Sequence, residues 1–158
     1  MEFVLLLGPE DPEAIKYEKE LLDMFHVMDK NEATLWKSRS NLDILTNELK
    51  TERLIDRWTD QTNILLVIDK ENVVGFVEYI PPVVNGSVTW MSINYLYIKR
   101  HYRKMGYGKA LVKQVRMFAK HLSVDQVSLS VHVSNVNAQK FYESQGFLEQ
   151  TKYMCVKP

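Results

Sequence analysis

The chain has 158 residues, 46% hydrophobic and 25% charged, an ordinary soluble composition that fits one domain over 1–158. Its apolar runs are too short to span a membrane. Its single cysteine, Cys155, excludes an internal disulfide or a cysteine-based metal cluster, and the plain inference is a cytoplasmic protein. Net charge is zero but uneven: residues 1–60 hold 8 Lys and Arg against 14 Asp and Glu, a net −6, and residues 61–158 hold 12 against 6, a net +6. The acidic half can attract a cationic substrate, or both halves can be solvated surface.

The first apolar run, Phe3–Leu7, reads as a strand ended by Gly8-Pro9. Helical spacing of Tyr17, Leu21, Met24 and Met28 predicts a helix from Glu13 to about Met28, with Asp11 as N-cap and Pro12 in the first turn. The polar stretch Asp29 to Ser40 reads as a connection. A second helix is expected from Asn41 to Trp58, with Leu42, Leu45 and Leu49 on one face.

The period then changes to that of strands. Asn63–Asp69 and Val73–Ile80 are strands joined by a turn at 69–72. Pro81-Pro82 is expected to end the second, and Asn85-Gly86 marks a hairpin tip. Val88–Ile98 is a long strand, apolar on both faces and so central, with room for a bulge. A helix follows, carrying an apolar stripe of Leu111, Val115, Phe118 and Leu122 and a basic stripe of Lys109, Lys113, Arg116 and Lys120. Gln126–Val133 reads as a strand and Asn137–Gln145 as a short helix, capped by Ser134 or Asn135 and stopped by Gly146. From Phe147 to Val156 one or two last strands are expected.

The densest chemistry lies between the long strand and the helix that follows it, in Arg103-Lys104-Met105-Gly106-Tyr107-Gly108-Lys109. Two glycines at a helix start bare several backbone N–H groups at the positive end of the helix dipole, which is an anion cradle. Lys99, Arg100, His101, Arg103 and Lys104 crowd the same loop. The loop fails two phosphate motifs. A P-loop needs glycine where Arg103 stands and a hydroxyl where Ala110 stands; a dinucleotide fingerprint needs glycine where Leu111 stands.

Arg103-x-x-Gly106-x-Gly108, followed downstream by Asn135-x-x-Ala138-x-x-x-Tyr142-x-x-x-Gly146-Phe147, resembles the paired motifs of the GNAT N-acetyltransferase superfamily. The resemblance covers roughly residues 63 to 150. It implies an α/β fold with a mixed, mostly antiparallel sheet of six or seven strands flanked by about four helices. It implies acetyl-CoA as cosubstrate, no metal, and direct transfer to a primary amine, either a small molecule or a protein or peptide. By the same resemblance, backbone N–H groups from Arg103, Lys104, Met105, Gly106, Tyr107, Gly108 and Lys109 bind the pyrophosphate. Leu96-Tyr97-Ile98 pairs with the pantetheine arm where the strands Val88–Ile98 and Gln126–Val133 splay apart. Asn135 contacts the cofactor through its amide, and Arg100, Arg103 and Lys104 are candidates for the adenosine phosphates.

By the same resemblance, Tyr142 is expected to take the place of the family's general acid. Many relatives carry a glutamate base where this chain has Tyr95, beside Asn94, so Glu78 on the preceding strand is the substitute candidate, with His132 a lesser one. Tyr142 can also be a packing residue beside Phe141, and Glu78 a plain strand carboxylate. Cys155 lacks a nucleophile's setting. Alternatives are a transferase using another acyl-CoA and a non-catalytic module that binds CoA or a protein. Zero net charge and the lack of an aromatic and basic platform argue against nucleic acid. The last strands offer a surface for a homodimer.

Overall fold

The computed structural model describes residues 1–35, 53–58, 61–152 and 154. Five strands run in the order β1 (Glu2–Leu6), β2 (Asn63–Asp69), β3 (Asn72–Asn85), β4 (Val88–Ile98) and β5 (Gln126–Leu129), and they lie side by side in that same order. The first four pair antiparallel; β5 pairs parallel to β4. The parallel pair is made possible by the crossover helix α4 (Tyr107–His121), which carries the chain back to the start of β4. The remaining helices are α1 (Pro12–Lys16), α2 (Glu18–Leu35), the single turn α3 (Leu54–Arg57) and α5 (Val136–Ser144).

The sheet divides the core in two because β2 and β3 are apolar on both faces. One face packs Phe76, Ile64 and Leu66 against Leu21, Met24 and Phe25 of α2 and Leu54 of α3. The other packs Leu65, Val77 and Tyr79 against Tyr107, Leu111, Val115 and Ala119 of α4. Gly75 sets the spacing of β3 and β4, since a Cβ there would collide with the Tyr97 carbonyl oxygen.

Several expectations need correction. The first helix is broken at Tyr17 and then runs past Met28 to Leu35. Residues 29–35 are mostly polar but contain neither glycine nor proline, so nothing stops the helix. β3 does not end at Pro81-Pro82. It passes through them to Asn85, because the register shifts between Ile80 and Val83 and the prolines sit in that irregularity, where no ladder N–H is needed. Leu122 is half exposed at the C-cap of α4 and does not join the stripe. The sheet has five strands among the described residues, not six or seven: residues 147–152 and 154 are not strand. The expected helix from Asn41, with Leu42, Leu45 and Leu49, lies outside the described residues up to position 52, as do Tyr153 and residues 155–158.

Candidate active site

Pairing of β4 with β5 lasts four residues, from Trp90–Gln126 to Ile93–Leu129, and then stops. The expected strand to Val133 is cut short at Leu129, and the segment 130–135 leaves the sheet. From Asn94 to Ile98, β4 is therefore paired to β3 on one side while its other edge is open among the described residues. The bulge anticipated in β4 falls at this parting: Glu78 pairs with Tyr95 and Tyr79 with Ile93, so Asn94 is the extra residue.

The glycine turn stands at the end of that open edge. Gly106 is the N-cap of α4 with φ 90°, a left-handed conformation that favours glycine, and no atom lies within 4 Å of where its Cβ would be. Lys104 is also left-handed, with φ 64°. The first N–H groups of α4 have no partners inside the helix. Space in front of them, bare backbone and dipole together fit a pyrophosphate, and the open β4 edge beside them fits an extended amide-bearing arm.

Side chains lock the turn to both neighbours. Arg103 folds back, its Nε–H donating to the Ile98 carbonyl at 2.9 Å and its guanidinium lying 5.6 Å from the Tyr97 ring. On the other side, a Cβ on Gly108 would meet Phe141 of α5 at 3.4 Å and Ile98 at 3.7 Å. Ile98, Gly108 and α5 thus converge. Arg116 donates to the Gln145 carbonyl at 3.0 Å, so this member of the basic stripe holds the end of α5.

Asn135 is the N-cap of α5, its Oδ1 accepting from the Ala138 N–H at 3.2 Å. Tyr142 is half-buried between Phe141 and Phe147, with ring centroids at 5.1 and 5.6 Å, and burial pushes its phenol up to about 12. Phe147 belongs to the α4 face of the sheet, and Tyr142 with it.

Glu78 lies on the opposite face, with Phe76, by strand alternation. It is 7% exposed, and burial raises its carboxyl above the ordinary carboxylate range. Hydrogen bonds from Thr62 and Asn94 and the charge of Arg57 pull the other way. Arg57, Asp29 and Thr62 had no signal in the sequence, since 29, 57, 62 and 78 come from four separate stretches of the chain. Arg57 donates from both Nη atoms to Asp29, each at 2.8 Å, over the face of Phe25 at 4.3 Å. Glu78 and Tyr142 thus belong to opposite faces of the sheet.

His132 lies in the turn before α5. Its Nδ1 accepts from the Ser134 N–H at 3.1 Å and its carbonyl accepts from Asn135 N–H, shaping that turn. Among the described residues no three His, Cys, Asp or Glu gather to hold a metal, and no helix is long and apolar enough to cross a membrane. A separate apolar cleft of about 250 Å³, between Leu5, Tyr79, Pro81, Met91, Phe118 and Leu122, lies at the other end of α4 from the glycine turn.

Residues 26–147 match the Acetyltransferase (GNAT) family, and the chain belongs to it: it is an acyltransferase by family, and the sheet and helices are those of that fold. Comparison with curated protein sequences gives no match. Among solved structures the chain is similar over its whole length to a tetramutant of the BH1408 protein of Bacillus halodurans, at 18% identity, full coverage of that chain and a TM-score of 0.73. It is similar over 99% of its length to ribosomal-protein-alanine N-acetyltransferase of Brucella melitensis biovar Abortus 2308, at 15% identity, 98% coverage and a TM-score of 0.66. Similarity of the same extent links it to an aminoglycoside acetyltransferase from an uncultured soil metagenomic sample, at 14% identity, 95% coverage and a TM-score of 0.62. Likeness at these identities is likeness of fold.

Proposed function

We propose that this protein transfers an acetyl group from acetyl-CoA to a primary amine, in a ternary complex. The observation that carries the reading is the parting of β4 from β5 after Ile93 and Leu129, directly beside a left-handed glycine at the start of α4. Backbone N–H groups of Arg103 to Lys109 would hold the pyrophosphate. The edge at Leu96, Tyr97 and Ile98 would align the pantetheine arm, with the Ile98 carbonyl already engaged by Arg103. Asn135 would add its amide nitrogen. Acetyl-CoA supplies an activated acyl carbonyl and a sulfur leaving group.

Tyr142 serves as the acid at that sulfur. With its phenol at about 12, handing over the proton outright to a thiolate of pKa near 8.5 is uphill by about 5 kcal/mol. Its contribution is therefore a hydrogen bond that strengthens as negative charge grows on the sulfur. Its neighbours Phe141 and Phe147 fix the ring and keep the surroundings dry.

Glu78 serves as the base. An alkyl ammonium of pKa near 10.4 costs about 4.6 kcal/mol to deprotonate at pH 7. A carboxylate whose proton affinity is raised by burial narrows that gap. Its position supports the role: Glu78 is the cross-strand partner of Tyr95, the place where many relatives resemble one another in carrying a glutamate. Side chains of partnered residues share a face about 5 Å apart, so a carboxylate on β3 serves the same space. The acceptor would approach from the α2 face.

The test is a panel of amines, covering small polyamines, amino-acid derivatives, aminoglycosides and peptide N-termini, assayed for thiol release from acetyl-CoA. Amine-dependent release is expected. Release with no amine of the panel, while acetyl-CoA still binds, would favour a module that binds CoA without transfer.

A further inference from the structure

We infer that a second copy of this chain pairs with the outer edge of β1, so that two sheets join across a two-fold axis into one. Among the described residues β1 pairs with β2 alone, and the N–H and C=O groups of its other edge meet no strand. Such a row is a template for another strand, and folded proteins blunt it with lysine, proline, a bulge or a very short strand. β1 uses none of these devices: it is Glu-Phe-Val-Leu-Leu, five residues in unbroken register with β2. Asp11 closes the edge just past the strand, its carboxylate accepting from the Leu7 N–H at 3.4 Å. At the far side of the sheet, β5 has four residues and alternates Gln126 and Ser128 with apolar ones. The segment after α5 offers no comparable edge among the described residues, since 147–152 and 154 are not strand.

Symmetry selects the occupant. Two copies of one edge strand, related by a two-fold axis normal to the sheet, run antiparallel, and each face continues into the same face of the partner. A row of side chains on one face then meets its own copy, with directly opposed residues about 5 Å apart. On the α4 face that row is Phe3, Leu5 and Leu7 by strand alternation. Phe3 packs on the α4-face core, while Leu5 and Leu7 are 39% and 67% exposed. Leu5 is also a wall of the apolar cleft, with Tyr79, Pro81, Phe118 and Leu122, so apolar surface runs from the edge strand onto α4. The strand's single charge suits the same geometry. With the axis through Val4, Glu2 comes opposite the partner's Leu6, and no like charges meet. A copy therefore brings a strand of matching length and an apolar row on the matching face. β1 and β5 stand at opposite ends of the sheet order, so the pairing leaves the β4–β5 parting of each copy open.

The test is sedimentation equilibrium of the full chain over a wide range of concentration, with hydrogen exchange of the β1 amides measured alongside. The wild type should form a dimer, and the outward-facing amides of Glu2–Leu6 should gain protection as concentration rises. Leu5→Lys sets two ammonium groups close to the axis and should weaken dimerisation by about tenfold or more, with the response of thermal unfolding to acetyl-CoA unchanged. Val84→Lys places the same charge at an exposed position of the β3–β4 hairpin and should leave the dimer as tight as in the wild type. A wild type that stays monomeric at every concentration would overturn the inference. So would a dimer that Leu5→Lys leaves intact, which would place the contact elsewhere, or β1 exchange that ignores concentration. If Leu5→Lys does not fold, the exchange of β1 in the wild type decides alone.

Discussion

The two sides of the β4–β5 parting are built from different materials. On the α4 side the proposed site is mostly backbone: an open strand edge, a left-handed glycine and the first N–H groups of a helix, in one stretch from Asn94 to Lys109, with Asn135 and Tyr142 beside it. On the α2 side it is side chains, Asp29, Arg57, Thr62, Glu78 and Asn94, assembled from five places along the chain. A donor common to a whole family can be held by backbone, whose hydrogen bonds do not depend on residue type. An acceptor particular to one protein has to be read by side chains.

Substitutions can break this contrast one side at a time. The largest effect is expected on the side-chain face. Glu78→Gln should lower kcat at neutral pH by about 10²- to 10⁴-fold while acetyl-CoA affinity holds; steady-state kinetics with a responsive amine check both. Tyr142→Phe removes a neutral donor to a developing charge and should lower kcat by about 10- to 100-fold, again with little change in acetyl-CoA binding. Equal losses in kcat and in cofactor affinity would assign Tyr142 to binding.

A smaller effect sharpens the electrostatics of the acceptor side. Burial raises the Glu78 carboxyl, so its ionised form is disfavoured in the fold. Its contribution to stability is fully present below the ordinary carboxylate range and is lost as pH rises through the raised value. Glutamine has no such loss. Denaturant unfolding across pH should show Glu78→Gln gaining on the wild type as pH climbs; a constant difference would mean that Glu78 titrates normally. Smallest of all, Asn135→Ala should cost about 1 kcal/mol through the lost α5 cap, measured by the same unfolding.

Legibility in the sequence followed the same division. The Gly106 turn, the limits of β4 and the caps of α1 and α5 were readable because each depends on a short stretch: two glycines, an apolar run, Asp11 before Pro12, Asn135 three residues before Ala138. β3 was misjudged because the tolerance of Pro81-Pro82 depends on a register shift against β4, which is a property of a pair of strands. α2 was cut short because polarity was taken for a break, although Asp29 is polar in order to hold Arg57. Glu78 could be named as a candidate from its place one strand away from Tyr95. Its partners could not, since Asp29 and Arg57 meet only when α2 and α3 pack on the same face of the sheet.

The central claim is that the open β4 edge and the Gly106 turn hold acetyl-CoA, and its most direct test is thermal unfolding against acetyl-CoA concentration in the wild type and in Gly106→Trp. At a hundred times Kd the wild type should gain about 2.7 kcal/mol, with Tm rising steadily with ligand. Gly106→Trp should unfold cooperatively and gain nothing, because the side chain fills the space in front of the α4 N–H groups. A wild type that does not respond to acetyl-CoA, or a folded Gly106→Trp that responds equally, would contradict the account.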